Sequence, residues 1–311
     1  DPRRDGGFTL FYLGINLGAF AGPLITGLLQ TSLGFHYGFG AAAVGMALGL
    51  TQYVVFRRNL GEHGRTVPHP LSGNALWRSA AVAAAVVAVV AVGFVTGLVT
   101  LANLSQVTTL IIVLASVGYF AVMLTSPRVE KGERTRVRAF IPLFIANAVF
   151  WSLFQQIFTV LAVYSDERIN WTVFGWTAPS SWIGSMEPVW IILLSPVFAV
   201  LWTKLGRRAP TTPRKFAYGV IGMGLAFLLF LPLAGGEGRT VPVLAVAAIL
   251  AAFAVSELLL SPIGLSVTTQ LAPNAFRAQM MALYFFSVGL GTALSGVLSR
   301  YYSAEHEVAY F

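Results

Sequence analysis

The chain has 311 residues, of which 56% are apolar and only 10% are charged, and its formal net charge is +8. About a quarter of the residues of a soluble domain are charged, and disordered chains are polar and highly charged, so the composition excludes both classes. The sequence has no cysteine, and its four histidines lack the spacing of metal ligands, so neither disulfides nor a metal site are expected.

Long apolar segments recur from one end of the chain to the other. A helix that crosses a bilayer needs about 20 mostly apolar residues. Nine segments fit, in chain order 8–33, 36–57, 76–98, 107–126, 137–164, 181–203, 214–234, 241–265 and 276–301. Their apolar runs are continuous rather than alternating, unlike the strands of an outer-membrane barrel. We therefore predict an all-helical membrane protein with nine transmembrane helices.

The positions of the basic residues predict an orientation in the membrane. Lys and Arg favour the cytoplasmic side of short loops. With the N-terminal end inside, nine alternating spans place all 20 Lys and Arg on the cytoplasmic side except Arg168, Arg239 and Arg300. The last residues are then outside. The basic surplus is explained by membrane topology, so lipids are the expected partners and nucleic acid is not.

The chain divides into three predicted blocks. Residues 1–58 form a Gly-rich pair of helices. Residues 59–136 combine basic loops with an inserted pair of helices, of which the first is almost entirely Ala and Val and is expected to face lipid. Residues 137–311 form five helices that carry most of the polar groups within the predicted spans.

Two carboxylates, Glu187 and Glu257, lie inside predicted spans. An ionisable group at membrane depth is costly and is a functional candidate by default. Glu187 directly precedes Pro188, and Glu257 lies one turn before Ser261 and Pro262. Both carboxylates are therefore expected beside interrupted helices, which often mark transport sites, and the alternative for Pro188 and Pro262 is an ordinary kink within a helix. The alternative for each is a glutamate near a helix end that reaches the membrane surface.

Other polar and aromatic side chains in the spans are weaker candidates. The first span has a stripe of Gly14, Gly18 and Gly22, which predicts close packing of a neighbouring helix. Helix packing is also the alternative for most of the remaining candidates, which are Tyr12, Asn16, Trp151, Gln155, Gln156 and Tyr284.

Four segments resemble the proton-dependent oligopeptide transporters of the major facilitator superfamily. They are FYLGINLG at 11–18, FWSLFQQ at 150–156, SMEP at 185–188 and SELLLSP at 256–262, and they resemble signatures of family helices 5, 7, 8 and 10. The resemblance implies that residues 1–58 are family helices 5 and 6 and that 137–301 are helices 7 to 11. Residues 76–126 would be the extra pair of bacterial members. Helices 1–4 and 12 would then be missing from these 311 residues.

The resemblance implies proton-coupled symport of di- and tripeptides across the cytoplasmic membrane by alternating access. Protons would be the coupling ion, without a cofactor and without enzymatic activity. The residue roles that it implies are peptide contact for Tyr12 and Asn16, cavity lining for Trp151, amino-group binding for Glu257 with Ser261 beside it, and substrate contact for Tyr284 in place of a tryptophan.

The sequence departs from the family pattern at two positions. Gln155 stands where many members have a proton-coupling glutamate, and Glu187 stands where many have a substrate-binding asparagine. We hypothesise that the carboxylate lost from one helix reappears on the next, so that Glu187 and Glu257 couple protons while Gln155 and Gln156 are polar cavity residues. The alternatives are a transporter of a related small solute, or an inactive fragment or scaffold if the chain is complete.

Overall fold

The structure is a computed structural model that describes residues 2–61, 72–236 and 238–311, without the side chains of residues 2–12, 60, 207 and 262. Its helices are α1 (Pro2–Leu33), α2 (Phe35–Phe56), α3 (Gly73–Val95), α4 (Leu104–Thr125), α5 (Lys131–Phe154), α6 (Val160–Glu167), α7 (Ile183–Leu205), α8 (Thr212–Leu228), α9 (Val243–Leu271), α10 (Arg277–Leu298) and α11 (Glu307–Tyr310).

The described residues contain nine helical segments that are long and apolar enough to cross a membrane, and each overlaps a predicted span. The predicted helical membrane fold is therefore confirmed. The fifth segment begins six residues earlier than predicted, at Lys131, because Glu130 and Glu133 form a capping box. Reciprocal capping of this kind satisfies backbone donors at a helix start, even where the sequence is too charged to be read as a span.

The described residues include four strands of two residues each, which the sequence analysis did not predict and which lie in loops. β1 (Ile169–Asn170) pairs in parallel with β4 (Val241–Pro242), and β2 (Thr172–Val173) pairs antiparallel with β3 (Trp176–Thr177). Phe174 and Gly175 connect β2 to β3 with positive φ angles of 53° and 80°. Two consecutive residues with positive φ are the mark of a tight hairpin turn.

The interrupted helices expected beside Glu187 and Glu257 are not found. α7 runs from Ile183 to Leu205 through Pro188 and Pro196, and α9 runs without a break through position 262. A proline removes a single backbone hydrogen bond, and in a membrane protein the neighbouring helices and the remaining bonds keep the helix continuous. The interrupted-helix interpretation was wrong because it considered only the backbone hydrogen bond that proline removes. It left out the packing of neighbouring helices, which keeps each helix continuous.

The interruption lies instead at the end of α5. Residues Gln155–Phe158 form a 3-10 turn, and α6 then starts at Val160. Side chains compensate the backbone there, because the Gln156 amide donates to the Ser152 carbonyl at 3.3 Å and Thr159 Oγ1 donates to Gln156 Oε1 at 3.0 Å. Side-chain bonds of this type compete with the regular helix pattern and allow a local break.

The core lies among α5, α6, α7, α8, α9 and α10. Its largest fully buried side chains include Phe150, Tyr164, Phe230 and Phe253. α4 packs on α10, whereas almost every described side chain of α3 is exposed, in line with a helix that faces lipid. The three predicted blocks stay a prediction.

α1 packs against α2 and α7, but not through the predicted glycine stripe. No described atom outside the helix lies within 4 Å of a Cβ placed at Gly14, Gly18 or Gly22. The close approach occurs further along, at Gly27, where such an atom would meet Ser181 Oγ and Trp182. A small-residue pattern identifies a surface that permits close packing, and the tertiary structure decides which part is used.

Candidate functional site

The two carboxyl groups within the membrane-spanning helices meet at the interface between α7 and α9. Glu187, in the second turn of α7, is only 6% exposed, and Glu257 on α9 is half-buried. Their side chains interact directly with each other. Glu187 Oε1 has no hydrogen-bond partner among the described residues. The interface therefore holds two acidic groups that are partners chiefly of one another.

Helix packing around this pair sets its position. Ile191, one turn after Glu187, is buried against Ala254 and Leu258 of α9. Trp190 Nε1 donates to the Ala247 carbonyl at 2.8 Å and ties the two helices together. Residues three or four positions apart share one face of a helix. The same faces that form this apolar cluster therefore carry the carboxyl groups.

Ser261 and Tyr284 extend the site toward α10. Ser261 lies one helical turn after Glu257, and the Tyr284 hydroxyl lies against the Ser261 side chain with Glu257 nearby. The Tyr284 ring covers Gly264 so closely that a Cβ there would be 2.7 Å from Tyr284 Cε2. The absence of a side chain at Gly264 thus allows Tyr284 to reach the site. The structure brings Glu187, Glu257, Ser261 and Tyr284 together.

The candidates on α5 and in the 3-10 turn that follows it make other contacts. Trp151 packs against Phe150 and Phe154, and its indole nitrogen has no hydrogen-bond partner within the described residues. Gln155 Nε2 donates to Thr292 Oγ1 of α10 at 3.0 Å. Gln156 is buried, and its Oε1 accepts a hydrogen bond from the Tyr310 hydroxyl at 3.0 Å. Both amides thus bind neighbouring segments.

α1 contributes a second wall. Asn16 is buried and, with Leu13, lines a pocket of about 330 Å³ against the residues Ile191, Ile192, Ser195, Pro196 and Ala199 of α7. The side chain of Tyr12 lies outside the described residues. At the other end of this contact, Ser185 Oγ donates to the Phe20 carbonyl at 2.8 Å and Trp182 Nε1 donates to the Leu24 carbonyl at 3.3 Å. α1 and α7 are therefore joined next to Glu187.

Two buried polar pairs were missed by the sequence analysis. Asn147 Nδ2 donates to Ser287 Oγ at 2.7 Å between α5 and α10, and Asn147 is 1% exposed. Arg168 and Glu307 form an ion pair of 2.9 Å between Nε and Oε1 near the end of the chain. An asparagine in an apolar span is a signal that could have been used, whereas no local pattern links residues 139 positions apart, as Arg168 and Glu307 are.

No group of three or more His, Cys, Asp or Glu side chains in the described ranges is placed to hold a metal ion. The chemistry of the site is that of two carboxyl groups, two hydroxyl groups and aromatic rings.

Comparison with known proteins identifies the relationship. The family model described as "PTR2: POT family" matches residues 1–309. The chain belongs to the POT family. Among curated POT-related proteins, the "Uncharacterized transporter YclF" of Bacillus subtilis is 42% identical over 100% of this chain and 64% of its own length. A "Di-/tripeptide transporter" of Lactococcus lactis subsp. cremoris is 37% identical over 100% of this chain and 65% of its own.

Solved POT structures show the same fold. The peptide transporter POT in complex with sulfate has a TM-score of 0.92 and 43% identity, and is matched over 100% of this chain and 64% of that one. A POT family transporter in complex with 5-aminolevulinic acid has a TM-score of 0.89 and 34% identity, with coverage of 100% and 66%. The chain thus spans about two thirds of the length of these POT proteins. The predicted family is confirmed, and the chain is a multi-pass membrane protein.

Proposed function

We propose that the protein transports di- and tripeptides together with protons across the bacterial cytoplasmic membrane by alternating access. Two of its relatives are named di-/tripeptide transporters, which supports the substrate class. The observation that carries the proposal is the Glu187–Glu257 pair, two interacting carboxyl groups within the membrane-spanning helices. Such groups are found where ions or protons cross a membrane.

In this proposal Glu257 binds the amino group of the peptide, and Ser261 and Tyr284 orient it. Tyr12, Asn16 and Trp151 line the path of the substrate. Gln155 and Gln156 are polar residues of the same cavity. Glu187 carries the proton, because the amide at position 155 cannot. Adjacent carboxylates repel each other when both are charged, and a shared proton turns this repulsion into a hydrogen bond. We assign protons rather than a bound cofactor as the coupling agent, and lipids as the surrounding partners.

The α1–α7 contact supports a conformational assignment. From the distribution of basic residues, we assign the Ser185 end of this contact to the outside and the pocket beside Asn16 to the cytoplasmic side. In that orientation the N-terminal end of the chain is cytoplasmic and its last residues are outside. The structure then corresponds to a state that is closed at the outer end of α1 and α7.

Transport in proteoliposomes tests the proposal. Labelled dialanine should accumulate inside vesicles only under an inward proton gradient. Glu187→Gln should abolish this accumulation and retain exchange of peptide across the membrane, because exchange needs no net proton movement. Glu305→Gln, which changes an exposed carboxylate, serves as the control. Full proton-driven accumulation by Glu187→Gln would refute the role of Glu187, and absence of any peptide uptake by the unmodified protein would refute peptide transport.

A further inference from the structure

The Glu187–Glu257 pair has no basic partner in the part of the chain that the structure describes. The ion pairs found there are Arg136–Glu133, Arg168–Glu307 and Arg239–Asp166, all away from the pair. From α10, the Tyr284 hydroxyl lies against Ser261 with Glu257 nearby. The described side chains of α1, α5 and α8 bring no charged group into the interactions of either carboxyl. Among the described residues, the charge at this interface therefore comes from the two glutamates alone.

Charge balance then restricts the occupant. A peptide with an uncharged first side chain offers one ammonium group, which neutralises one carboxylate. The other carboxylate would stay buried and uncompensated, which is strongly unfavourable in a membrane-spanning bundle. It must either take up a proton or meet a second positive charge. Glu187 is suited to this second contact, because its Oε1 has no other hydrogen-bond partner among the described residues.

We propose that the Glu187–Glu257 pair binds two positive charges at once, either a peptide ammonium and one proton or both cationic groups of a peptide whose first residue has a basic side chain. Glu187 is then a specificity-determining residue that favours such peptides. This inference rests on the proposed peptide transport and extends it to a substrate class.

Calorimetric titration of the purified protein with Ala-Ala and with Lys-Ala tests the inference. Repeating each titration in buffers of different ionisation enthalpy counts the protons taken up on binding. Above the pH at which the pair ionises, we expect uptake of about one proton with Ala-Ala and a loss of affinity of about tenfold per pH unit. Binding of Lys-Ala should be accompanied by almost no proton uptake, and its affinity should stay constant over the same pH range.

The variant Glu187→Gln provides the matched comparison. It keeps the size of the side chain and leaves one carboxyl group, so the proton uptake with Ala-Ala should vanish. At high pH, the affinity for Lys-Ala relative to Ala-Ala should fall about tenfold or more. Glu187→Asp restores the charge and should restore the difference between the peptides. Glu305→Gln should leave both peptides as in the unmodified protein.

The outcomes separate the inference from the proposed function. Equal proton uptake with both peptides in the unmodified protein overturns the two-charge site while peptide binding stands, and this result needs no variant to fold. An unchanged difference between the peptides in Glu187→Gln also overturns it. Binding of neither peptide at any pH overturns peptide transport itself.

Discussion

Replacing Glu307 with glutamine tests the buried ion pair that joins the end of the described chain to two earlier loops. The Glu307 carboxylate contacts Arg168 Nε at 2.9 Å through Oε1, and its Oε2 accepts a hydrogen bond from the Gly235 amide at 2.9 Å. The Tyr302 hydroxyl donates to Oε1 at 3.2 Å, and Arg168 Nη1 donates to the Gly238 carbonyl at 3.0 Å. The Glu307 carboxylate thus connects its own segment to the loops that contain Arg168 and Gly235.

The expected cost follows from burial. The side chains of Arg168 and Glu307 are 5% and 0% exposed. Glutamine retains the shape of glutamate but leaves the Arg168 charge buried without a counter-charge, which costs about 3–5 kcal/mol. In domains of about 150–250 residues, each kcal/mol of destabilisation lowers the melting temperature by roughly 2–4 °C. At the lower value, the melting temperature should fall by about 6–10 °C.

The control is Asp166→Asn, which removes an exposed pair in the same region. Arg239 and Asp166 are 58% and 66% exposed and 3.7 Å apart, so their pair is worth about 0–1 kcal/mol. Thermal unfolding in one detergent, followed by tryptophan fluorescence, measures both variants. Combining Glu307→Gln with Arg168→Met removes both charges and should recover part of the loss. A shift for Glu307→Gln no larger than that for Asp166→Asn would refute the reasoning.

Three further predictions concern packing, closure and pH. Gly291→Ala places a Cβ 2.5 Å from a side-chain atom of α5 and should lower the stability by about 1–3 kcal/mol. Gly289→Ala, whose Cβ has its nearest atom at 3.4 Å, should be neutral or stabilising, and thermal unfolding of both variants measures the difference. Ser185→Ala removes a hydrogen bond to α1 and should raise solvent labelling of cysteines introduced between α1 and α7 next to Ser185, whereas Ser195→Ala, which removes a bond within α7, should not. Burial raises the pKa of Tyr310 to about 12, so stability present below pH 10 should be lost as the pH rises toward 12. Tyrosinate absorbance followed alongside unfolding measures that loss, and an unchanged alkaline transition in Tyr310→Phe would contradict it.

The carboxyl pair shows how far a sequence can indicate a site. Glu187 and Glu257 stand out because charge is rare in apolar spans, and no structure is needed to select them. Their direct interaction is different, because it depends on how α7 packs against α9 and on a cluster around Ile191. The positions of prolines nearby predicted broken helices, and the packed bundle keeps both helices continuous.

Hydropathy and the distribution of basic residues are sufficient to predict the nine spans, because crossing a bilayer requires about 20 apolar residues whatever the neighbours are. Side-chain partners obey no such local rule. The approach of Tyr284 over Gly264 and the Arg168–Glu307 pair both depend on residues far apart in the chain. Membrane insertion is governed by each segment's own transfer from water, whereas the site is made by packing between segments, so only the folded bundle shows which polar groups meet.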